Sequence, residues 1–380
     1  MNHPRLSLAL AVATAALAVA AGPASPASAT PHPQAGTGAV FVQTNDLDQN
    51  AVQAYTRAAD GSLTSAGTYA TGGKGGAEAG AVVDPLASQG SVTLDRRHDL
   101  LFVVNAGSDS LTVFGVDGSR LWRRQVVSSH GDFPVSVSVA GDLVYVLNAR
   151  GGGSISGYRL SGRTLVHLDG STRPLSLVPN GNPEFLQAPS QVAVSPDRHA
   201  VVVATKTHGT LLSFALTNGR PSASPVVTTS GAVPFALTYD RAGRLLVVDA
   251  SGLVTSYRVG KGAMLAKLSQ VGPTGQAAAC WSVLVHGQLY VANAGSNSIS
   301  AVADHGGMLT LTDATAAATD AGPVDLAASR HGRYLYQLSG ATGNIDAFRV
   351  APDGTLTRIG TTPTGLGSAN HRATEGIAAA

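Results

Sequence analysis

The chain has 380 residues, of which 45 are glycine and only 13% are charged. The formal net charge is +2, and no run of Lys or Arg could neutralise successive phosphates, so the sequence argues against a nucleic-acid partner. A single cysteine, Cys280, has no intramolecular partner, so the fold must be stable without a disulfide.

The first 29 residues have the three parts of a secretory signal. Arg5 precedes an apolar stretch over residues 6–21, and residues 27–29 (Ala-Ser-Ala) form a small-residue cleavage site. The apolar stretch is shorter than the ~20 residues that a membrane-spanning helix needs. We therefore predict a signal peptide over residues 1–29, a secreted protein that is extracellular or associated with the cell wall, and no membrane span after cleavage. Residues 30–38, rich in Pro, Gly and Thr, are predicted to be a flexible lead-in.

From residue 39 onward, one unit recurs: an apolar β-rich run, a polar turn and a second alternating run, which is the pattern of a β-hairpin. The copies lie at residues 40–55, 100–114, 143–158, 201–214, 245–257, 289–302 and 334–348. Their mean spacing of about 49 residues fits a propeller blade of four strands. The sequence therefore predicts an all-β fold over residues 39–380, a seven-bladed β-propeller of four-stranded antiparallel blades. A ring of six or eight blades is the alternative.

The two ends of the repeat array complement each other. The first copy begins without an inner strand, and the chain ends with an orphan strand-like run over residues 376–380. We expect this C-terminal strand to complete the first blade, because closure removes an exposed sheet edge.

Two insertions, residues 72–90 and 170–188, separate one blade from the next. We expect both on the face where the central channel opens, and we interpret that end of the channel as the binding site.

Several runs resemble the lactonase-type seven-bladed propellers, the family around bacterial 6-phosphogluconolactonase and fungal 3-carboxymuconate lactonising enzyme. These runs are VNAGSDSLTVF (104–114), PVSVSVAGDLVYVLNARGGGSISGY (134–158), GQAAACW (275–281) and YVANAGSNSIS (290–300). Residues 289–302 are also similar to the YVTN-type repeat, with Ala292 where that motif has Thr.

The lactonase resemblance implies a small cyclic ester as substrate and no obligatory organic cofactor. If the protein is an enzyme, we expect a lactone hydrolase or a cycloisomerase. The blade motifs leave two other classes open: a non-enzymatic, YVTN-like binding propeller at the cell surface, and a rigid spacer in the envelope.

Lactone hydrolysis needs a base that activates water and a cation or donor that stabilises the oxyanion. The segment before the closing strand supplies these residue types as His371, Arg372 and Glu375. We predict Glu375 or His371 as the catalytic base, and Arg372 with Lys206 as the groups that hold the negative charge of the ligand.

Further candidates for ligand binding lie in turns or at inner strands expected at the same end of the channel: His130, Asp132, Gln191, His208, Trp281 and Asp325. For each of them, a solvated turn residue or a structural contact is the alternative. No metal-binding motif occurs in the sequence, so we predict no metal and no cofactor. The expected ligand is a small molecule such as a lactone or a sugar acid, and the expected state is a monomer.

Overall fold

The computed structural model describes residues 1, 38–272, 274–366 and 374–380. Seven antiparallel sheets, each built on four successive strand positions, confirm the predicted seven-bladed propeller. Apart from Met1, the predicted signal peptide lies outside the described residues, and so does nearly all of the predicted lead-in. No helix in these described ranges is long and apolar enough to cross a membrane.

The first three blades follow one another along the chain. The first contains β1 (Gly38–Gln43), β2 (Ala51–Arg57) and β3 (Leu63–Ala70). The second contains β4 (Val92–Asp95), β5 (Leu100–Asn105), β6 (Ser110–Asp117) and β7 (Arg120–Ser128). The third contains β8 (Pro134–Ala140), β9 (Leu143–Asn148), β10 (Ser154–Ser161) and a divided outer strand, β11 (Thr164–His167) and β12 (Arg173–Pro174). A short helix, α1 (Glu184–Gln187), lies in the second insertion.

The remaining blades repeat this order. The fourth contains β13 (Gln191–Val194), β14 (Ala200–Ala204), β15 (Thr210–Thr217) and a divided outer strand, β16 (Arg220–Pro221) and β17 (Val226–Thr229). The fifth contains β18 (Pro234–Tyr239), β19 (Arg244–Asp249), β20 (Val254–Val259) and β21 (Leu265–Val271). The sixth contains β22 (Ala279–Val285), β23 (Gln288–Asn293), β24 (Ser298–His305) and β25 (Met308–Ala318), and the seventh β26 (Pro323–Ala328), β27 (Tyr334–Ser339), β28 (Asn344–Val350) and β29 (Leu356–Pro363).

The last strand, β30 (Glu375–Ala379), closes the ring as predicted. It pairs antiparallel with β1, with Phe41 opposite Ala378 and Val42 opposite Ile377. The first blade is therefore built from both ends of the propeller, and β1 has a strand partner on each of its edges.

The packing between blades follows from the repeat. The second strand of each blade is buried along nearly its whole length, whereas the outer strands alternate between exposed and covered positions. In the third, sixth and seventh blades the second strand carries a buried tyrosine whose hydroxyl donates to a glycine carbonyl in the outer turn of the next blade. These pairs are Tyr145–Gly219 (2.7 Å), Tyr290–Gly354 (2.6 Å) and Tyr336–Gly61 (2.9 Å). The same three glycines provide the positive φ of Asn-Gly or Asp-Gly turns, so one residue serves both the hairpin and the blade contact.

Candidate functional site

The first insertion enters the central channel. The side chain of Gln89 pairs with the backbone of Ser282 in the way that a residue of a neighbouring strand would. Its amide nitrogen donates to the carbonyl of Ser282 (2.7 Å), and its amide oxygen accepts from the backbone N–H of Ser282 (3.0 Å). The backbone amide of Gln89 donates to Ser190 (3.2 Å), and the hydroxyl of Ser88 donates to Val135 (2.9 Å). These contacts join the third, fourth and sixth blades across the axis. We call residues 72–90 the channel insert, because they fill this end of the channel.

Beneath the channel insert lies a group of ionisable side chains that we call the buried acid cluster. It consists of four carboxyls and one ammonium: Glu78, Asp84, Asp325, Glu375 and Lys206. None of the five residues is more than 6% exposed. Two of the carboxyls come from the insert, Asp325 from β26, Glu375 from the start of β30, and Lys206 from the turn between β14 and β15.

Asp84 and Glu375 form a carboxyl pair. The amide of Leu86 donates to Oε1 of Glu375 (2.8 Å), and the amide of Ser88 donates to Oδ2 of Asp84 (3.0 Å). Burial raises the pKa of both carboxyls, and their mutual contact raises that of Glu375 further. If both groups were ionised, Oδ1 of Asp84 would be a buried acceptor with no donor among the described residues. One proton shared between the two carboxyls supplies that hydrogen bond and removes one of two adjacent buried charges.

Lys206 pairs with the other carboxyl of the channel insert, Glu78. Its ammonium donates to Oε2 of Glu78 (3.3 Å) and to the carbonyl of Ala87 (2.9 Å). Burial raises the pKa of Glu78 to about 8, although the ammonium acts in the opposite direction. Lys206 holds a left-handed φ of 49° in a short 3₁₀ turn, a conformation that a non-glycine residue rarely adopts. The backbone is therefore strained where it delivers the ammonium.

Asp325 occupies a β-bulge in the innermost strand of the seventh blade, with a φ of 57°. Its two oxygens accept from the amides of Leu326 (2.8 Å) and Ile377 (3.1 Å), so the carboxyl ties β26 to the closing strand. Burial outweighs these hydrogen bonds and raises the pKa of Asp325 to about 7.

Trp281 and Gln191 make structural contacts. The indole of Trp281 donates to the carbonyl of Ser88 in the channel insert (2.8 Å) and packs edge-on against Phe235. The side-chain amide of Gln191 pairs with both backbone groups of Leu237, at 2.6 and 3.1 Å. Trp281 thus anchors the insert, and Gln191 joins two neighbouring inner strands.

The other predicted residues lie apart from the cluster or outside the described residues. The ring of His130 stacks on His167 with centroids 3.7 Å apart, and Asp132 is exposed in the turn that follows. His208 contacts the carbonyl of Val178 in the second insertion (2.9 Å).

The predictions for His371 and Arg372 fall outside the described residues. The structure therefore brings Glu375, Lys206 and Asp325 together and places Trp281 at the edge of their cluster. It adds Glu78 and Asp84, which sequence reasoning missed. Their only signal was the occurrence of two acids in an Ala- and Gly-rich insertion.

An open cavity lies at the other end of the channel. A cavity of about 1270 Å³ is lined by the inner strands and opens between the turns that lead from each inner strand to the second strand. Gln89 and Asp325 lie at its closed end, with Gln191 beside them. The expectation of an open mouth at the insert-bearing end thus differs from the structure, because the insert folds inward and hydrogen-bonds to the inner strands. No group of three or more His, Cys, Asp or Glu side chains in the described part of the chain could hold a metal ion.

No family model and no curated protein matches the sequence. Solved structures do match. A candidate 6-phosphogluconolactonase from Bacteroides uniformis is 16% identical with a TM-score of 0.70, covering 87% of this chain and 98% of its own. A second candidate 6-phosphogluconolactonase, from Bacteroides fragilis, is 15% identical with a TM-score of 0.63, covering 92% and 100%. A periplasmic gluconolactonase from Pseudomonas aeruginosa is 20% identical with a TM-score of 0.63, covering 87% and 97%.

The chain shares the propeller fold of these proteins. The resemblance to lactonase-type propellers is therefore confirmed for the fold. Identities of 20% or less carry no residue role from one chain to the other, so the reaction has to be argued from the chain's own side chains.

Proposed function

We propose that the protein hydrolyses a small cyclic ester at the buried acid cluster, with Asp84 and Glu375 as the proton-transferring pair. One observation carries this proposal: two adjacent carboxyls, Asp84 and Glu375, are buried together with the ammonium of Lys206 in a site screened from water, and burial raises the pKa of both carboxyls. Such strongly shifted groups are typical of active sites. The lactonases among the proteins of the same fold agree with this choice of reaction.

The pair offers both functions that lactone hydrolysis requires. The ionised carboxyl accepts a proton from water as the water oxygen bonds to the acyl carbon, and the ring C–O bond breaks. The protonated carboxyl then gives its proton to the leaving alkoxide, so the product is a hydroxy acid. The ammonium of Lys206 stabilises the oxyanion that forms on the carbonyl oxygen. The predictions of His371 as the alternative catalytic base, and of Arg372 as a group that holds the negative charge of the ligand, remain part of this proposal.

Access to the site runs through a short loop of the channel insert. Glu78 and Asp84 stand at the two ends of residues 79–83, whose tip, Val82, is 76% exposed. The amide of Glu78 donates to the carbonyl of Pro85 (2.7 Å), which closes the base of the loop. We propose that residues 79–83 move aside to admit the substrate, because they connect Glu78 to Asp84 and are exposed or half-buried.

The second candidate is a non-enzymatic binding propeller. The complete burial of Glu375 beneath the channel insert favours this alternative, since a carboxyl that never meets substrate only stabilises the fold.

We also propose that the protein is exported as a monomer by its predicted signal. Amino-terminal sequencing of the protein recovered from the culture medium tests cleavage after Ala29.

A lactone panel in a pH-stat distinguishes hydrolysis from binding. Glu375→Gln keeps an acceptor for the Leu86 amide but cannot exchange the proton, so we expect kcat to fall about 10²–10⁴-fold with little change in KM. Asp84→Asn should behave alike. Asp117→Asn, at an exposed strand end, removes the same charge and should leave kcat unchanged. No turnover of any lactone by the parent, or full activity of Glu375→Gln, would contradict the proposal.

A further inference from the structure

The open cavity has a mouth rich in cations. The channel insert forms its closed end. The segment from Asp325 to Arg330 runs from that end toward the mouth, and at ~3.3 Å per residue its length is about 17 Å. Arg96, Arg241 and Arg330 line the cavity where these turns meet, on the second, fifth and seventh blades. Unlike the acid cluster, all three side chains are exposed to solvent.

These three arginines form no ion pair with an acidic side chain in the part of the chain that the structure describes. Within the described ranges, no carboxylate lies at ion-pairing distance from any of them. The guanidinium of Arg96 donates hydrogen bonds to the carbonyls of Ala328 (2.8 Å) and Ala379 (2.6 Å). These hydrogen bonds fix the position of the guanidinium without neutralising its charge. Partial burial and the charge of Arg330 both lower the pKa of the Arg96 guanidinium. Cationic side chains that line the same cavity mouth form a site that favours an anion.

The acidic residues of the same mouth do not cancel this charge. Asp240 is paired with Arg244 (2.6 Å), and Asp304 lies beside Asp240. Burial and the charge of Asp240 raise the pKa of Asp304, so the two carboxyls together carry less than two negative charges at acid pH. His286 and His331 complete the lining of this side and add no negative charge.

We propose that this cavity binds a small organic polyanion, a molecule carrying two or more carboxylate or phosphate groups, with Arg96 and Arg330 on one side and Arg241 on the other. The volume of about 1270 Å³ exceeds that of most small-ligand pockets, which span ~300–1,000 Å³, so the ligand occupies the mouth and leaves the inner part to water. The acid cluster lies behind the closed end and repels the anion, so the anion does not bind deeper in the channel. The proposal does not depend on hydrolysis at the other end of the channel.

Isothermal titration calorimetry with citrate, inorganic phosphate and glucose tests the site at low salt. We expect citrate to bind, glucose to give no heat, and added salt to weaken binding. The double variant Arg241→Gln with Arg330→Gln removes two of the three cationic side chains and should lose about tenfold in affinity, which corresponds to about 1.4 kcal/mol. Phosphate binding tighter than citrate would identify a phosphate-bearing ligand; the reverse order would identify a polycarboxylate.

The matched control removes two arginines from the outer strand of the second blade, Arg120→Gln with Arg124→Gln. It changes the net charge equally and should leave the affinity unchanged. Three results would overturn the proposal: no heat with either anion at millimolar concentration, glucose binding as well as citrate, or an equal loss of affinity in the control. Circular dichroism of each variant verifies that the fold is retained.

Discussion

Asp325→Asn should change the pH dependence of stability in a predictable direction. The pKa of the folded carboxyl is about 7 against an ordinary value of 3.8, so the folded state binds the proton more tightly than the unfolded state does. The carboxyl's contribution to stability is full below the ordinary pKa and is lost as pH rises toward the folded value. A shift of this size corresponds to about 4 kcal/mol, of which about 3 kcal/mol falls between about pH 5 and pH 8.

Asparagine suits the position because it tolerates the left-handed φ of residue 325. Asn cannot accept from both amides, so the variant loses one hydrogen bond, at a cost of about 1–3 kcal/mol that does not depend on pH. Its amide does not ionise. The difference in unfolding free energy between variant and parent should therefore move in favour of the variant by about 3 kcal/mol from about pH 5 to pH 8.

Urea unfolding followed by tryptophan fluorescence measures this difference, because Trp281 is buried against the channel insert. Asp346→Asn is the control: this buried aspartate of the same blade is paired with Arg358, so its loss should not favour the variant at higher pH. A difference for Asp325→Asn that stays constant with pH, or moves in favour of the parent, would refute the reasoning.

Two further predictions concern the buried side chains of Lys206 and Cys280. Lys206→Met leaves the Glu78 carboxyl buried without its cation and should cost about 3–5 kcal/mol in urea unfolding, and Glu78→Gln in the same chain should restore part of the loss. Equal stability of the single and double variants would contradict the pairing. Burial raises the pKa of the Cys280 thiol, so a disulfide-exchange reagent should find no reactive thiol in the native protein and one in urea. Labelling of the native protein at one equivalent would show that the thiol is accessible.

The blades could be predicted because their determinants are local. The hairpin expected over residues 100–114 corresponds to β5 and β6, and its polar turn contains Asp109 in the left-handed conformation. The turn glycines, such as Gly219, are the residues that type I′ hairpins require. Alternation of apolar and polar residues with a period of two then sets which face of each strand is buried.

The acid cluster could be predicted only in part, because its contacts join distant parts of the chain. Leu86 and Glu375, which hydrogen-bond directly, are 289 positions apart. Insertion lengths indicated which face carries the long connections, but they contain no information on whether a connection folds outward or into the channel. That depends on side chains such as Gln89, which finds the backbone of Ser282 193 positions away. The open cavity was therefore placed at the wrong end of the channel by the sequence alone.

Closure of the ring and formation of the Asp84–Glu375 pair are coupled, because Glu375 lies on the closing strand β30. In five blades the inner strand has a bulge at the same point, and in the closing strand the bulged residue is Gly376, with a φ of 62°. A Cβ on Gly376 would lie 2.2 Å from Oγ of Ser91, so only glycine fits beside the second blade.

The bulge turns Glu375 toward the channel insert and the amide of Ile377 toward Asp325, so these two contacts form only when β30 is seated. A chain that has not closed its ring therefore lacks the carboxyl pair. Any activity of the cluster should rise and fall with the same cooperative transition that closes the propeller.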